Sequence, residues 1–410
     1  MRIKLNLRHA RLIIISFVIA AIFGSLGFYL GTHRVKVELQ KRPFVKIERK
    51  IPAKREDVDF TLFWDVWDRL ELDYLDQEAL DPAKMVYGAI QGMVSSLGDP
   101  YTVFLEPQEQ KEVKEDLNGA FGGVGIQLGY KDEQLAVIAP LLGTPAYEVG
   151  VKAGDLILKI DGQSTGDISL PEAVHLIRGE KGTKVILTLF RKGETESFDA
   201  EIIRDTIVVP SVEVIFIGDN HNIAQLKLLK FGDRTTEEWN TAVLDILNHT
   251  PAVKGIILDL RNNPGGYLSG SVFIASEFLT SGVVVQQEYD GGQKKESFSV
   301  NRAGRLLTQS IVVLINKGSA SASEIVAGAL QDYERATIVG DKSFGKGTIQ
   351  EAQELPGRTG LHITTARWLL PLDSSIDKEG ITPDEEISDN LETQDIDEQV
   401  QKAIEILEGE

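Results

Sequence analysis

The sequence contains no cysteine, so disulfide bonds and thiolate metal sites are excluded. Histidine is also scarce, and the six histidines show no metal-ligand spacing such as His-Glu-x-x-His; they lie at positions 9, 33, 175, 221, 249 and 362. These absences argue against a zinc site and against histidine as a catalytic base.

Basic residues are few outside the first fifty positions. Residues 1–50 hold eleven lysines and arginines against two glutamates, a net charge of +9, whereas the whole chain carries −19 and the remainder therefore −28. An acidic body argues against nucleic acid as the main partner. At 410 residues the chain is long enough for two or three folded units with cores of their own.

An apolar run of nineteen residues, Leu12–Leu30, is long enough to span the hydrocarbon core of a bilayer. A cleaved signal peptide is the alternative, but its apolar region is usually shorter, and no clear small-x-small cleavage site follows Leu30. We therefore expect an uncleaved anchor. Basic residues flank the run on both sides, which weakens the positive-inside rule as a guide to orientation. The very short N-terminal tail favours a body outside the cytoplasm.

A cluster of serines at positions 319, 321 and 323 lies between a predicted strand, Ser310–Ile315, and a predicted helix that begins near Glu324. Backbone N–H groups at the start of a helix lack partners and carry partial positive charge, so they can stabilise developing negative charge. A serine at this turn is a plausible nucleophile. The same residues, Ser321-Ala-Ser-Glu324, also match a helix-capping box, and the two interpretations are compatible.

Lys346 lies in a Gly-Lys-Gly turn after the next predicted strand, Ala336–Gly340. Flanking glycines let the backbone turn sharply, so this lysine could be directed inward. Burial disfavours the charged ammonium, and a neutral amine could accept the proton of a serine hydroxyl. A solvated lysine in a loop is the alternative.

The segments Ser-Ala-Ser-Ala-Ser-Glu324 and Phe344-Gly-Lys-Gly closely resemble the catalytic signature of the carboxyl-terminal processing peptidases, also called tail-specific proteases. The resemblance implies that the middle serine, Ser321, is the nucleophile and that Lys346, 25 residues later, is its base. It also implies that Gln350 orients the lysine. No metal or organic cofactor is expected in this family.

The glycine pair in Asn262-Asn-Pro-Gly-Gly266 follows a predicted strand, Lys254–Arg261, and precedes an apolar helix. The resemblance implies that this loop supplies one N–H of an oxyanion hole, from Gly265 or Gly266, and that Ala322 supplies the other. A plain strand-to-helix turn is the alternative. Alternating strands and helices indicate an α/β layered core, and the resemblance implies that this core is crotonase-like.

Short strands and glycine turns between Asn118 and Arg204 resemble a PDZ domain of the bacterial protease-associated type. Such a domain captures a chain end on a free strand edge, while N–H groups of a glycine loop hold the terminal carboxylate. The loop would comprise Gly122, Gly123, Val124 and Gly125, and the edge would begin at Ile126. Arg178 could reach the carboxylate or link this domain to the core. A tight glycine turn and a solvated arginine are the alternatives.

Two other motifs are expected to be incidental. Gly162-Gln-Ser-Thr-Gly166 matches a nucleophile elbow around Ser164, but it follows a hairpin turn and no helix follows at once. Gly340–Lys346 nearly matches a phosphate-binding loop, but Gly347 replaces the required Ser or Thr.

The expected architecture is multidomain α/β: a tail and transmembrane anchor at 1–31, a linker at 32–56, a helical region at 57–117, a PDZ domain at 118–204, a peptidase core at 205–387 and an acidic C-terminal tail at 388–410. Within the tail, Val400, Ala403, Ile404 and Leu407 predict a short amphipathic helix. The expected function is cleavage of proteins or peptides with exposed C-termini by a membrane-anchored, extracytoplasmic serine endopeptidase. A tethered PDZ-type binder without catalysis is the alternative, and assembly into a homo-oligomer stays open.

Overall fold

The computed structural model describes residues 59–131, 134–166, 168–289, 292, 294–388 and 397–409. The predicted membrane segment, Leu12–Leu30, lies outside these residues. Within them, none of the helices combines the length and the apolar character needed to cross a bilayer. The chain divides into two compact units, Met1–Met85 and Val86–Glu410.

The helices of the described residues are α1 (Thr61–Asp73), α2 (Pro82–Ser95), α3 (Pro107–Asn118), α4 (Pro145–Glu148), α5 (Leu170–Ile177), α6 (Thr235–Asn248), α7 (Leu268–Phe278), α8 (Ala322–Asp332) and α9 (Glu398–Glu408). The strands are β1 (Val103–Leu105), β2 (Ala120–Gly123), β3 (Ile126–Lys131), β4 (Gln134–Pro140), β5 (Leu156–Ile160), β6 (Gln163–Ser164), β7 (Lys184–Phe190), β8 (Phe198–Ile203), β9 (Asp205–Val208), β10 (Val212–Ile217), β11 (Ile223–Leu228), β12 (Gly255–Asp259), β13 (Val283–Tyr289), β14 (Lys294–Ser299), β15 (Ser310–Ile315), β16 (Thr337–Gly340), β17 (Thr348–Leu355), β18 (Thr359–Leu369) and β19 (Glu385–Glu386).

The described part of the first unit consists of α1, a short 3₁₀ turn at Gln77–Ala79 and the start of α2. Both helices lie within the helical region that the sequence predicted at 57–117. In α1 the indole N–H of Trp67 donates to the Glu71 carboxylate at 2.8 Å, one turn further along the helix.

A six-stranded sheet in the order β10-β11-β12-β15-β16-β19 forms the centre of the second unit. β10 is antiparallel to β11, and the other neighbours are parallel. The carboxyl ends of parallel strands meet at one edge of a sheet, where open α/β folds place their sites. The loops that follow β12, β15 and β16 are therefore brought together.

Successive side chains in these strands point to opposite faces of the sheet, and both faces are buried. Ile256 and Leu258 pack in the cluster that contains residues of α6, α7 and α8. Ile257, between them, packs on the opposite face with Val312 and with Ala403 of α9. Strands buried on both faces form continuous apolar runs, as Ser310–Ile315 does. The predicted C-terminal helix is present, and it covers one of the two faces.

A second, antiparallel sheet follows the order β1-β18-β13-β14, with β17 paired along β18. β17 begins at Thr348 and pairs with β18 as an antiparallel hairpin. This places the residues immediately after Lys346 in a hairpin rather than in the helix that a phosphate-binding loop would need.

The predicted PDZ region contains an antiparallel sheet in the order β3-β4-β5-β7-β8, with the short β6 on β5. β7 shows the alternation of a half-buried strand, because Val185, Leu187 and Leu189 are fully buried and the residues between them are less so. β3 is an edge strand of this sheet. A separate two-stranded pairing of β2 with β9 joins the beginning and the end of the region.

Candidate active site

Ser321 is the last residue of the turn between β15 and α8, which we call the nucleophile loop (Asn316–Ser321). Its φ and ψ of 55° and −113° lie in a region that residues with a Cβ rarely adopt, and its exposed fraction is 9%. Such a conformation costs on the order of 1–3 kcal/mol and occurs mainly at functional sites. The surrounding loop must therefore hold this serine against its backbone preference.

The carboxylate of Glu324, fully buried in the first turn of α8, fixes the nucleophile loop to the loop that carries Lys346. One oxygen accepts from the backbone N–H groups of Ser321 at 2.7 Å and Lys346 at 3.0 Å. The other accepts from the N–H of Gly345 and the hydroxyl of Ser343, both at 2.6 Å. One side chain thus sets the distance between the two loops.

Both glycines beside Lys346 are required by close packing. A Cβ on Gly347 would lie 2.3 Å from the backbone nitrogen of Asp377. Gly345 has a φ of +89°, and its Cβ would lie 3.0 Å from the backbone nitrogen of Gly380. Residues with side chains at these positions would push the loop that carries Lys346 away from the segment 377–380, against which it packs.

The Lys346 side chain is half-buried, and its Nζ lies 5.0 Å from the centre of the Tyr101 ring. Burial lowers the pKa of this amine, because it removes water from the charged form, whereas the negative charges of Glu324 and Asp99 act in the opposite direction. The net shift is downward. The pKa of the nearby His362 is also lowered, first by burial and then by the positive charge of Lys346.

The loop after β12 contacts the nucleophile loop directly. A Cβ on Gly265 would lie 2.9 Å from the Cβ of Ser321 and 3.0 Å from the nitrogen of Ala322, so only glycine fits. The N–H of Gly265 donates to the side chain of Asn263 at 2.9 Å. In the described part of the chain, the N–H groups of Gly266 and Ala322 have no acceptor.

A cavity of about 760 Å³ contains the predicted catalytic residues. Ser321, Lys346, Gln350 and Gly266 all line it, whereas Gly265 and Ala322 are adjacent in sequence to lining residues but are not themselves part of the lining. Aromatic and aliphatic side chains form much of the remaining lining; they are Tyr101, Val103, Val113, Leu117, Tyr267, Leu268, Ile349 and Trp368. The cavity is therefore largely apolar around a few polar groups, as is typical of binding sites.

Gln350 contacts two threonines. Its amide nitrogen donates to the hydroxyls of Thr348 at 3.0 Å and Thr364 at 3.1 Å. Among the described residues no hydrogen bond joins Gln350 to the Lys346 amine. These contacts hold the Gln350 side chain in the cavity wall and use its donors, so its carbonyl oxygen remains as the acceptor.

A second cavity, of about 140 Å³, lies between the start of β3 and helix α5 in the PDZ region. The predicted residues that line it are Gly123, Val124, Gly125, Ile126 and Arg178. Gly122 instead pairs with Thr206 of β9 and lines an adjoining cavity against α3. Its carbonyl accepts the N–H of Gly179 at 3.1 Å.

Arg178 borders the second cavity, the adjoining one and the cavity that contains Ser321. Its guanidinium lies over the Phe121 ring, 4.1 Å from the ring centre. The residue therefore stands where the PDZ region meets the core.

The sequence did not single out Asn263, Tyr101 or His362, and it suggested only a helix cap for Glu324. Asn263 belongs to the Asn-Asn-Pro-Gly-Gly segment, and Glu324 belongs to the capping box. No sequence pattern pointed to Tyr101 or His362, which reach the cavity through pairing of β1 with β18 and packing around it. Ser164, from the incidental match to a nucleophile elbow, lies exposed in β6 and does not line the cavity that contains Ser321.

Comparisons with known proteins identify the parts of the chain. The pattern of peptidase family S41 matches residues 222–387, that of the PDZ domain matches 137–191, and that of the activating protease CtpB N-terminal domain matches 21–109. A multidomain α/β chain with these parts and a serine in the cavity of its core is a serine-type endopeptidase that carries a PDZ domain.

The carboxy-terminal-processing protease of Bartonella bacilliformis is 36% identical over 373 residues, which are 90% of this chain and 81% of that protein. The carboxy-terminal processing protease CtpA of Bacillus subtilis is 37% identical over 332 residues, covering 81% of this chain and 69% of that protein. Among solved structures, the photosystem II D1 C-terminal processing protease superposes with a TM-score of 0.51 at 26% identity, covering 87% of this chain and 98% of that one. The chain belongs to the carboxy-terminal processing protease family.

Proposed function

We propose that Ser321 and Lys346 form the catalytic dyad of this endopeptidase. The neutral amine of Lys346 accepts the hydroxyl proton while Ser321 Oγ attacks the scissile carbonyl carbon. The C–N bond then breaks, Lys346 returns the proton to the leaving amine, and an ester to Ser321 remains. Lys346 then accepts a proton from a water molecule as the water attacks the ester, the acyl C–O bond to Ser321 breaks, and the proton returns to Ser321 Oγ as the second product leaves with a new carboxyl group. The main support is the buried Glu324 carboxylate, which bonds both loops.

The oxyanion of the tetrahedral intermediate is stabilised by the N–H groups of Gly266 and Ala322. The amide of Gly266 is favoured over that of Gly265 because Asn263 already accepts the Gly265 N–H. One such donor typically contributes about 3 kcal/mol of transition-state stabilisation. Gln350 supports the lysine from the cavity wall, with its carbonyl oxygen as the acceptor for the amine.

The dyad is tested by proteolysis of an unfolded protein with the wild type, Ser321→Ala and Lys346→Ala. We expect cleavage by the wild type alone. Matched controls are Ser310→Ala and Lys342→Ala, which change exposed residues of the same types on neighbouring segments and should cleave normally. Equal activity in all five proteins would rule out the dyad.

The PDZ region recruits substrates by their C-termini. The terminal residues pair with the free edge of β3 at Ile126, and the N–H groups of the Gly123–Gly125 segment face the carboxylate. Arg178 either contacts that carboxylate or transmits occupancy of this groove to the core, since it borders both cavities. The alternative of a tethered PDZ-type binder without catalysis is less well supported, because the chain belongs to a family of proteases.

Recruitment is tested with two peptides that share a cleavable segment and end in a free carboxylate or a carboxamide. The wild type should prefer the free carboxylate. Replacing Gly125 by valine would bring a Cβ within 2.3 Å of Thr144, at a φ of +77°, and should abolish the preference. An unchanged preference in this variant would contradict capture of chain ends.

The segment Leu12–Leu30 anchors the protein in a membrane, with the catalytic body outside the cytoplasm and a core of the crotonase-like type. The support is the length of the apolar run, which is sufficient to cross the hydrocarbon core of a bilayer. Fractionation and protease protection test this placement. We expect the full chain in the membrane fraction, accessible from the extracytoplasmic side; a freely soluble chain would refute the anchor.

A further inference from the structure

Asn263 is a fully buried asparagine whose hydrogen bonds join three segments. Its amide nitrogen donates to the carbonyl of Leu228, at the end of β11, at 2.7 Å. Its side-chain oxygen accepts the N–H of Gly265 at 2.9 Å. Its backbone carbonyl accepts from the N–H of Ala320 at 3.0 Å and the hydroxyl of Ser323 at 2.9 Å.

The Asn263 side chain fixes the peptide group before Gly265, and the backbone of Phe231 fixes the Gly265–Gly266 peptide group that follows it. The Gly265 N–H points to Asn263, and the Gly265 carbonyl accepts the N–H of Phe231 at 2.9 Å. The N–H of Tyr267 in turn donates to the Phe231 carbonyl at 2.8 Å. Among the residues that the structure describes, the N–H of Gly266 is left without an acceptor, and Gly266 lines the cavity.

Asparagine is suited to this position because it offers a donor and an acceptor at the end of a short side chain. An aspartate carboxylate keeps the acceptor for Gly265 but loses the donor and places a charge beside the Leu228 carbonyl. Alanine loses both bonds. Each replacement leaves a buried polar group without a partner, which is costly.

We propose that Asn263 is a positioning residue of the oxyanion hole, which holds the Gly266 N–H toward the carbonyl under attack and fixes its distance from the nucleophile loop. This inference rests on the proposed function, in which that N–H contacts the oxyanion. It predicts an effect on the rate of bond cleavage rather than on substrate binding, because the oxyanion exists only after attack.

The test is steady-state cleavage of one peptide by the wild type and Asn263→Ala. We expect kcat to fall by about tenfold or more, up to the roughly 10²–10³ that removal of one oxyanion donor costs, with KM nearly unchanged. Asn240→Ala is the matched control, because this half-buried asparagine accepts from Arg305 at 2.7 Å, away from the cavity. It should lose stability but keep kcat.

Asn263→Asp provides a second measurement that does not depend on the alanine variant folding. A protonated carboxyl group offers the same donor and acceptor as the amide, and burial favours that form. The ratio of its kcat to that of the wild type should therefore rise as pH falls. A ratio that is independent of pH, or equal kcat losses in Asn263→Ala and Asn240→Ala, would overturn the proposal.

Failure of the catalytic dyad and failure of the positioning role give different results. If Ser321→Ala and Lys346→Ala retain activity, the proposed dyad is wrong and the inference falls with it. If both are inactive while Asn263→Ala keeps the wild-type kcat, the dyad stands and only the positioning role is refuted.

Discussion

Replacement of Glu324 by glutamine tests whether this buried carboxylate joins the two catalytic loops. Its two oxygens accept four hydrogen bonds, and three of the donors are backbone N–H groups. An amide can accept on one side only, so in either orientation at least one buried N–H faces another donor. An unpaired buried donor costs about 1–3 kcal/mol, and the remaining bonds lose their charge-assisted strength.

The expected loss of stability is therefore about 1–3 kcal/mol or somewhat more, measured by denaturant unfolding. Cleavage should decline further than stability suggests, by about tenfold or more in kcat, because small displacements of reacting groups are costly. The exposed Glu237→Gln, on α6, serves as the control and should change neither quantity.

The same substitution also changes the pH profile in a defined direction. The negative charge of Glu324 raises the pKa of Lys346, against the larger effect of burial. Without that charge the pKa falls further, the amine becomes neutral at lower pH, and the acidic limb of the kcat/KM profile should move to lower pH. A variant with wild-type kcat and an unmoved limb would refute this account of Glu324.

Three further predictions concern other parts of the fold. Gly265→Ala should lower kcat about tenfold or more, because the new Cβ collides with the nucleophile loop. Gly193→Ala is the matched control, because Gly193 has a φ of +100°, close to the +98° of Gly265, but an added Cβ there would have no atom within 4 Å. This control should cleave normally. Burial alone would raise the pKa of Glu277, but bonds from two arginines and a tryptophan lower it from 4.5 to about 2. The ionised Glu277 carboxylate contributes roughly 3 kcal/mol to the free energy of unfolding. This contribution is complete above pH 4.5, the pKa of a glutamate in the unfolded chain, and is lost as the pH falls from 4.5 toward 2. The free energy of unfolding of the wild type should therefore decline across that window, whereas that of Glu277→Gln should not. Ala403→Asp buries a charge under the central sheet and should lower the melting temperature strongly, whereas Gln401→Asp, on the exposed side of the same helix, should not; equal melting temperatures would contradict packing of α9 on the sheet.

Local sequence patterns predicted the strand and the helix on either side of Ser321, because the apolar run before it and the capping residues after it are both strong indicators of secondary structure. The continuous apolar run Ser310–Ile315 and the capping residues after it specify a strand followed by a helix, and both occur as predicted. The glycines at positions 345 and 347 predicted a sharp turn, and at both positions an added Cβ would meet neighbouring backbone. Placement of Ser321 and Lys346 in one cavity could be expected only from resemblance to a family, since 25 residues of sequence separate them.

Long-range contacts account for what the sequence could not predict. Three of the four hydrogen bonds of Glu324 depend on the loop after β16 folding back over the start of α8, and no local pattern encodes that approach. Asn263 likewise gains its role from three segments that meet only in the folded sheet. His362 enters the cavity because β18 pairs with β1 and β17, an arrangement set by tertiary structure.

The most direct test of the central claim is covalent labelling of the protein by a serine-directed fluorophosphonate, with the modified residue located by mass spectrometry. The account predicts one label, on Ser321, at a rate that rises with pH through the lowered pKa of Lys346 and becomes negligible in Lys346→Met. Labelling of another serine, or an equal rate at Ser321 in Lys346→Met, would contradict it.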